Sequence, residues 1–149
     1  MRKLVAALSA ACAFALALAA YGDAAAGASA YGDAAAGAGF SASLSAGEMV
    51  PAVKASGNGS FSATLKGYLL SFKLSFSHLS GPAVGASLGF GPKGKAGHLT
   101  IPLCAPCKSP VTTGVGVDKS LITALRQHLL FVVVRTQKHP NGEIRGQIQ

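Results

Sequence analysis

The chain has 149 residues, of which half are hydrophobic and only 12% are charged, and its formal net charge is +8. This length is sufficient for one domain with a hydrophobic core of its own. The basic residues are scattered along the chain without interleaved aromatic residues or a basic helix, which argues against nucleic acid as a partner.

The first 19 residues have the features of an export signal. Arg2 and Lys3 form a positive start, an Ala/Leu-rich apolar stretch follows at 4–19, and Ala-Leu-Ala at 17–19 offers small residues for cleavage. The stretch is shorter and richer in alanine than the ~20 strongly apolar residues of a membrane-spanning helix. We predict a cleaved signal peptide, a secreted or extracytoplasmic mature chain, and no stable membrane span; retention as an anchor is the alternative.

Residues 20–39 consist of two ten-residue copies that both begin Ala-Tyr-Gly-Asp-Ala-Ala-Ala-Gly-Ala. Alanine favours helix, but each glycine inside a helix costs about 1 kcal/mol relative to alanine. Two copies are also too few for a self-stacking repeat fold. We predict a flexible linker at 20–39 that precedes one domain at 40–149. Without the signal, eleven basic and five acidic residues leave a charge of +6, which favours anionic partners.

Alternation of apolar and polar residues with a period of two dominates the domain. In the run 70–77, leucines and phenylalanines alternate with serines and one lysine, so one face is expected to be buried and the other wet. Strand spacing near ten residues, with Gly, Pro and Ser between the runs, predicts an all-β fold, an antiparallel Greek-key β-sandwich. The predicted strands lie near 40–44, 60–66, 70–77, 86–90, 98–103, 111–117, 129–136 and 143–148.

One short helix is predicted within this β fold, from Lys119 to about His128. Asp118 is the expected N-cap, and Leu121, Ile122 and Leu125 are spaced to share the inner face of the helix.

The end of the chain predicts a hairpin. An apolar run at 131–136 leads to Pro-Asn-Gly at 140–142, and the returning run at 143–148 alternates Glu, Arg and Gln with Ile, Gly and Ile. Asn-Gly between two such runs is a strong hairpin signal, because both turn positions accept a positive φ.

Three segments together resemble the CHRD (chordin-type) domain family over residues 40–149. Residues 44–53, Leu-Ser-Ala-Gly-Glu-Met-Val-Pro-Ala-Val, are similar to the opening segment of that family. Residues 86–97 lie where the family has Ala-His-Ile-His followed by spaced glycines, and Gly142 to Ile148 is similar to its closing signature, in which Glu143, Arg145 and Gly146 stand out. The resemblance implies a module that makes extracellular contacts.

This sequence departs from the family pattern at its histidines. Ser87 and Gly89 stand at the two central histidine positions, and Arg135-Thr136 replaces a His-Thr pair. Histidines at i and i+2 of a strand share a face and could help to hold a metal, whereas serine, glycine and arginine cannot replace them as ligands. We therefore predict no metal site and no cofactor. Lys93 and Lys95, with Arg135, are candidate anion contacts, although a plain sheet-edge loop is the preferred interpretation of the segment that carries the two lysines.

Cys104-Ala-Pro-Cys107 is the strongest chemical motif after the signal segment. In an exported protein, two nearby cysteines favour a disulfide, here one that fixes a corner between two strands. A redox pair and half of a metal site are the alternatives. Redox chemistry places the first cysteine at the start of a helix, whereas prolines and strands surround this motif.

Catalysis by paired carboxylates lacks material, because the domain contains only Glu48, Asp118 and Glu143. Asp118 is expected to cap the helix, and Glu143 to pair with a basic neighbour such as Arg135 or Arg145. We therefore predict a monomeric, non-enzymatic binding or structural module whose partner is an anionic cell-surface polymer or another extracellular protein. A metal- or thiol-dependent redox protein is the alternative.

Overall fold

A computed structural model describes residues 37–149, so the predicted signal peptide and residues 20–36 of the predicted linker lie outside the described residues. The described chain forms eight strands, one α-helix and a short 3-10 turn at Ala46–Glu48. The elements are β1 (Ala38–Ser45), β2 (Asn58–Lys66), β3 (Leu69–Ser77), β4 (Ala83–Phe90), β5 (His98–Cys104), β6 (Val111–Gly116), α1 (Lys119–Arg126), β7 (Leu130–Thr136) and β8 (Ile144–Gln147).

All eight strands belong to one antiparallel sheet in the order β5-β4-β7-β8-β1-β2-β3-β6. The predicted all-β class is confirmed, and the β3–β4 and β5–β6 connections cross between the halves of the sheet, as in Greek-key folds. The two halves of a β-sandwich are separate sheets, whereas the two halves of this domain form one continuous sheet. Ser45 pairs with Arg145, and Ser41 and Gln149 exchange backbone hydrogen bonds of 2.8 Å, so the ladder continues from β8 to β1.

The main core forms where the alternating residues turn inward. On β3, Leu70, Phe72 and Leu74 are buried, whereas Ser71 and Lys73 between them are exposed. The predicted alternation therefore describes this half of the sheet correctly.

Strand β7 is buried on both faces. Val132 and Val134 face the main core, while Phe131 and Val133 pack with Met49 in a second, smaller cluster. The alternation predicted for β8 does not separate a buried face from a wet one either. Its residues are buried on both sides, because loops cover the face that lies opposite the main core.

The helix α1 begins as predicted. The Asp118 carboxylate accepts a hydrogen bond of 2.8 Å from the Leu121 amide, which satisfies one of the free N–H groups of the first turn. The helix ends at Arg126 rather than at His128, because His128 adopts a left-handed φ of 57°. Leu121 and Leu125 are buried, and Ile122 is half-buried. Within residues 37–149, no helix combines the length and the apolarity needed to cross a membrane.

The closing hairpin is present, with a longer connection than the Asn-Gly pair predicts. Strand β7 ends at Thr136 and β8 begins at Ile144. Only Gly142 has a positive φ, 129°, so a two-residue turn at Asn141-Gly142 does not form. Gly142 is needed for space as well, since an added Cβ would lie 2.6 Å from the terminal methyl of Met49.

The ring of Phe131 occupies a space that glycines leave open. A Cβ added at Gly89 would lie 2.2 Å from the Cζ atom of the ring, and one added at Gly97 would lie 2.6 Å from its Cε1 atom. Gly91 contributes a third approach at 3.3 Å. These glycines therefore allow the β4–β5 loop (residues 91–97) to pack closely against β7.

We expect Gly89→Ala to destabilise the fold by about 1–3 kcal/mol, because the new methyl group overlaps a buried ring that has little room to move. Gly39→Ala is the matched control, since a Cβ at that strand position meets nothing within 4 Å. Urea unfolding measures both variants. Equal unfolding midpoints for the two would contradict the packing described here.

Candidate functional site

The three positions where the resemblance places histidines lie on one face of the β4–β7 pair. Ser87 and Gly89 are two residues apart on β4 and therefore lie on the same face. Arg135 on β7 is opposite Gly85, which shares that face. Ser87 is only 4% exposed, and the Phe131 ring covers Gly89. The structure thus brings these positions onto one surface, where two of the three are covered by packing.

Arg135 is the half-buried member of this set. Its guanidinium lies over Gly85, where an added Cβ would come within 2.7 Å of Nη2. Its Nε atom is buried and has no hydrogen-bond partner within the described residues. A guanidinium has five N–H donors and no acceptor, so Arg135 can contact an anion or a water molecule but cannot bind a metal as an imidazole does.

Arg145 holds the β4–β5 loop against the sheet. Its Nη1 donates to the Lys95 carbonyl at 2.8 Å, and its Nη2 donates to the Pro92 carbonyl at 3.3 Å. Its guanidinium carbon lies 3.7 Å from the centre of the Phe131 ring. Burial lowers the pKa of Arg145, and the nearby charge of Glu48 partly opposes that change. This family-signature residue therefore serves internal packing.

Gln147 extends the same attachment. Its side-chain amide donates to the Gly91 carbonyl at 2.9 Å and to the His128 carbonyl at 2.7 Å. One strand residue therefore fixes both the start of the β4–β5 loop and the segment that follows α1. Gly146 between Arg145 and Gln147 permits the close approach of β1, because a Cβ there would lie 2.4 Å from the Ser43 carbonyl oxygen.

Glu143 is fully buried, and its partners are not the predicted arginines. Its carboxylate accepts hydrogen bonds of 2.7 Å from the Ser80 amide, the Ser80 hydroxyl and the Thr136 hydroxyl. Burial alone would raise the pKa of this carboxyl, but the hydrogen bonds from Ser80 and Thr136, with the charge of His139, lower it below its ordinary value. The predicted pairing with Arg135 or Arg145 is wrong, because the folded chain places hydroxyls and an amide around the carboxylate.

Lys93 and Lys95 are exposed on the β4–β5 loop. Lys93 lines a polar cleft of about 230 Å³ together with Ser43, Glu48 and Gln147. Arg135 does not line this cleft; it lies on β7 opposite Gly85. Of the three candidate anion contacts, the cleft therefore includes only Lys93.

Cys104 and Cys107 form a disulfide. Cys107 is buried, and its amide donates to the Ala83 carbonyl at 3.2 Å, which attaches the corner after β5 to the first residue of β4. The α1 helix begins at Lys119, so Cys104 is not itself at a helix start, unlike the first cysteine of thioredoxin-type pairs. Among residues 37–149, no group of three or more His, Cys, Asp or Glu side chains is arranged to hold a metal ion.

Sequence reasoning missed the residues that complete these contacts. Ser80 lies 63 positions before Glu143, and Phe131 was predicted only as part of an apolar strand. One signal was available: the glycines at 85, 89, 91 and 97 are too frequent for a strand and its loop unless other groups approach the backbone closely.

We expect Glu143→Gln to remove an acid-dependent part of the stability. The pKa of Glu143 is lowered in the folded chain, so its ionised form stabilises the fold above the ordinary glutamate pKa, and this contribution is lost as the pH falls through the lowered value. The free energies of unfolding of wild type and Glu143→Gln, measured in urea, should therefore differ near neutral pH and converge in acid. Glu143→Ala should be less stable than Glu143→Gln at every pH, because it leaves the Ser80 and Thr136 donors unpaired. This account would be contradicted if the free energies of unfolding of wild type and Glu143→Gln differed by the same amount at every pH.

We expect Arg145→Lys to loosen the β4–β5 loop and to cost about 1.5–3 kcal/mol, the range for hydrogen bonds to a charged group. An ammonium lacks the planar fork that reaches two carbonyls while stacking on a ring. Hydrogen exchange of the amides at 91–97 measures the effect. Arg126→Lys on the exposed side of α1 is the control. Equal exchange rates in the two variants would show that the Arg145 hydrogen bonds do not hold the loop.

Comparison with known families gives one match. The family model of the CHRD domain matches residues 40–148, while comparisons with curated proteins and with solved structures gave no significant match. The matched range includes the face of β4 and β7 that carries Ser87, Gly89 and Arg135. It also includes the closing hairpin with Glu143, Arg145 and Gly146. The chain therefore belongs to the CHRD domain family.

Proposed function

We propose that this chain is a secreted, non-enzymatic binding module that attaches to an anionic polymer outside the cell. The observation that carries the proposal is the charge of the described domain. Residues 37–149 contain eleven basic and three acidic side chains. Exposed positive charge without matching negative charge favours polyanions.

The three carboxylates offset only part of that charge. Asp118 caps α1, and Glu143 is fully buried among hydrogen-bond donors. Glu48 lies close enough to Arg145 to affect its pKa. The exposed lysines are therefore available to an external partner.

The use of polar residues on the β4–β7–β8 surface supports binding rather than catalysis. Arg145 and Gln147 donate to backbone carbonyls of the chain itself, and Glu143 accepts from Ser80 and Thr136. A general acid or base needs a side chain that can reach a substrate. The signature residues of the described domain therefore support a rigid scaffold.

Export to an oxidising compartment agrees with the sequence and with the cysteine pair. The predicted signal peptide precedes the domain, and the Cys104–Cys107 disulfide is of the kind that persists outside the cytoplasm.

We expect the chain, expressed with its leader and recovered outside the cytoplasm, to be retained on immobilised polygalacturonate at low salt. Exposed charges are screened over about 8 Å at 0.15 M ionic strength, so elution should occur as the salt concentration rises through this range. An immobilised neutral dextran is the control. Passage through the polyanion matrix at low salt, or retention that salt does not weaken, would overturn the proposed function.

A further inference from the structure

The outer face of β2, β3 and β6 carries short hydroxyl side chains around one lysine. In the cross-strand register, Lys73 lies between Ser62 on β2 and Thr112 on β6, and Thr64 lies beside Ser71. We define the hydroxyl face as the residues Ser62, Thr64, Ser71, Lys73, Ser75 and Thr112.

The hydroxyls of this face have no hydrogen-bond partner among residues 37–149. Ser80 and Thr136 elsewhere in the domain donate to the Glu143 carboxylate. By contrast, no side chain of the hydroxyl face makes a side-chain hydrogen bond with any part of the chain that the structure describes. Ser62, Ser71, Lys73 and Thr112 are exposed. Their donors and acceptors are thus available to a partner.

The shape of the face suits an extended chain. A shallow depression of about 420 Å³ lies on the three strands and is lined by Ser62, Ala63, Thr64, Ser71, Phe72, Lys73, Thr112 and Thr113. Gly114, opposite Ser71, adds no side chain to it. Since neighbouring strands lie about 4.7–4.9 Å apart, the hydroxyls stand at regular intervals on a rigid sheet.

The charge of the face selects an acidic partner. Strands β2, β3 and β6 contain Lys66 and Lys73 and no carboxylate. The Lys73 ammonium offers three donors at the centre of the hydroxyl face. Leu69, two residues before Ser71 on the same side of β3, is 52% exposed and provides apolar surface at one end.

We propose that the hydroxyl face binds an acidic polysaccharide, with Lys73 contacting a carboxylate of the polymer and the Ser and Thr hydroxyls contacting its sugar hydroxyls. This inference rests on the proposed function and assigns it a surface and a class of partner. A protein partner fits less well, because stable protein interfaces centre on buried aromatic or arginine anchors in pockets, and the face offers a shallow polar trough.

The test is calorimetric titration of the full exported chain with soluble polygalacturonate. Lys73→Gln should weaken binding about tenfold, since one hydrogen-bonded charge is lost. The double variant Ser62→Val and Ser71→Val should also weaken binding but leave its salt dependence unchanged, because no charge is removed. Lys138→Gln, which removes an equal charge from the β7–β8 connection, is the control and should stay within about twofold of wild type. Urea unfolding verifies that each variant is folded.

Different failures have different meanings. If wild type binds and Lys73→Gln and Lys138→Gln have equal affinities, the hydroxyl face is not the binding surface, and the proposed function still stands. If wild type does not bind, both the binding surface and the proposed function are overturned. Equal binding of polyglutamate, lost equally in Lys73→Gln, would show charge attraction alone and overturn the polysaccharide. A change in sedimentation of Lys73→Gln would show that a second copy covers the face, which also overturns it.

Discussion

The packing of the β4–β5 loop against β7 and β8 depends on the stacking of Arg145 on Phe131. The ring fits against the backbone at Gly89 and Gly97, and the guanidinium covers a face of the ring while it donates to two carbonyls of the β4–β5 loop. One side chain thereby joins a strand, a ring and a loop. A buried charge is costly unless its donors are satisfied, and these carbonyl partners explain how an arginine is accommodated at 4% exposure.

This packing leaves no room for the histidine that the resemblance places at position 89. A histidine at position 89 would place its Cβ 2.2 Å from the Cζ atom of Phe131, so an imidazole there and this position of the ring exclude one another. On β7, Arg135 covers Gly85, two residues before Ser87. The face on which the resemblance places histidines is therefore occupied by the Phe131 ring at Gly89 and by the Arg135 guanidinium at Gly85.

Local patterns predicted the elements of this fold, whereas long-range contacts decided the use of the polar residues. The alternation on β3 and the cap at Asp118 act over a few residues, so the sequence reveals them directly. The sequence predicts a nearby basic partner for Glu143, whereas its partner Ser80 lies 63 positions away and is placed by a loop. Arg145 reaches Lys95 across 50 positions. Whether a polar strand residue is exposed or buried depends on which loop covers it. Neither the alternation of apolar and polar residues nor the composition reveals where that loop lies.

The two outer surfaces of the sheet differ in what remains for a partner. On the β4–β7–β8 side, loops and buried side chains use the polar groups, so an external ligand would have to break internal hydrogen bonds. On the β2–β3–β6 side, the hydroxyls of the hydroxyl face have no hydrogen-bond partner among residues 37–149 and are therefore hydrated when no ligand is bound. A partner must replace that water, and each exchanged hydrogen bond yields a net of only about 0.5–1.5 kcal/mol. Affinity on such a surface therefore requires several simultaneous contacts by a repeating ligand on a rigid array, with Lys73 adding the one charged contact. The sheet supplies the array without reorganisation, which reduces the ordering cost of binding.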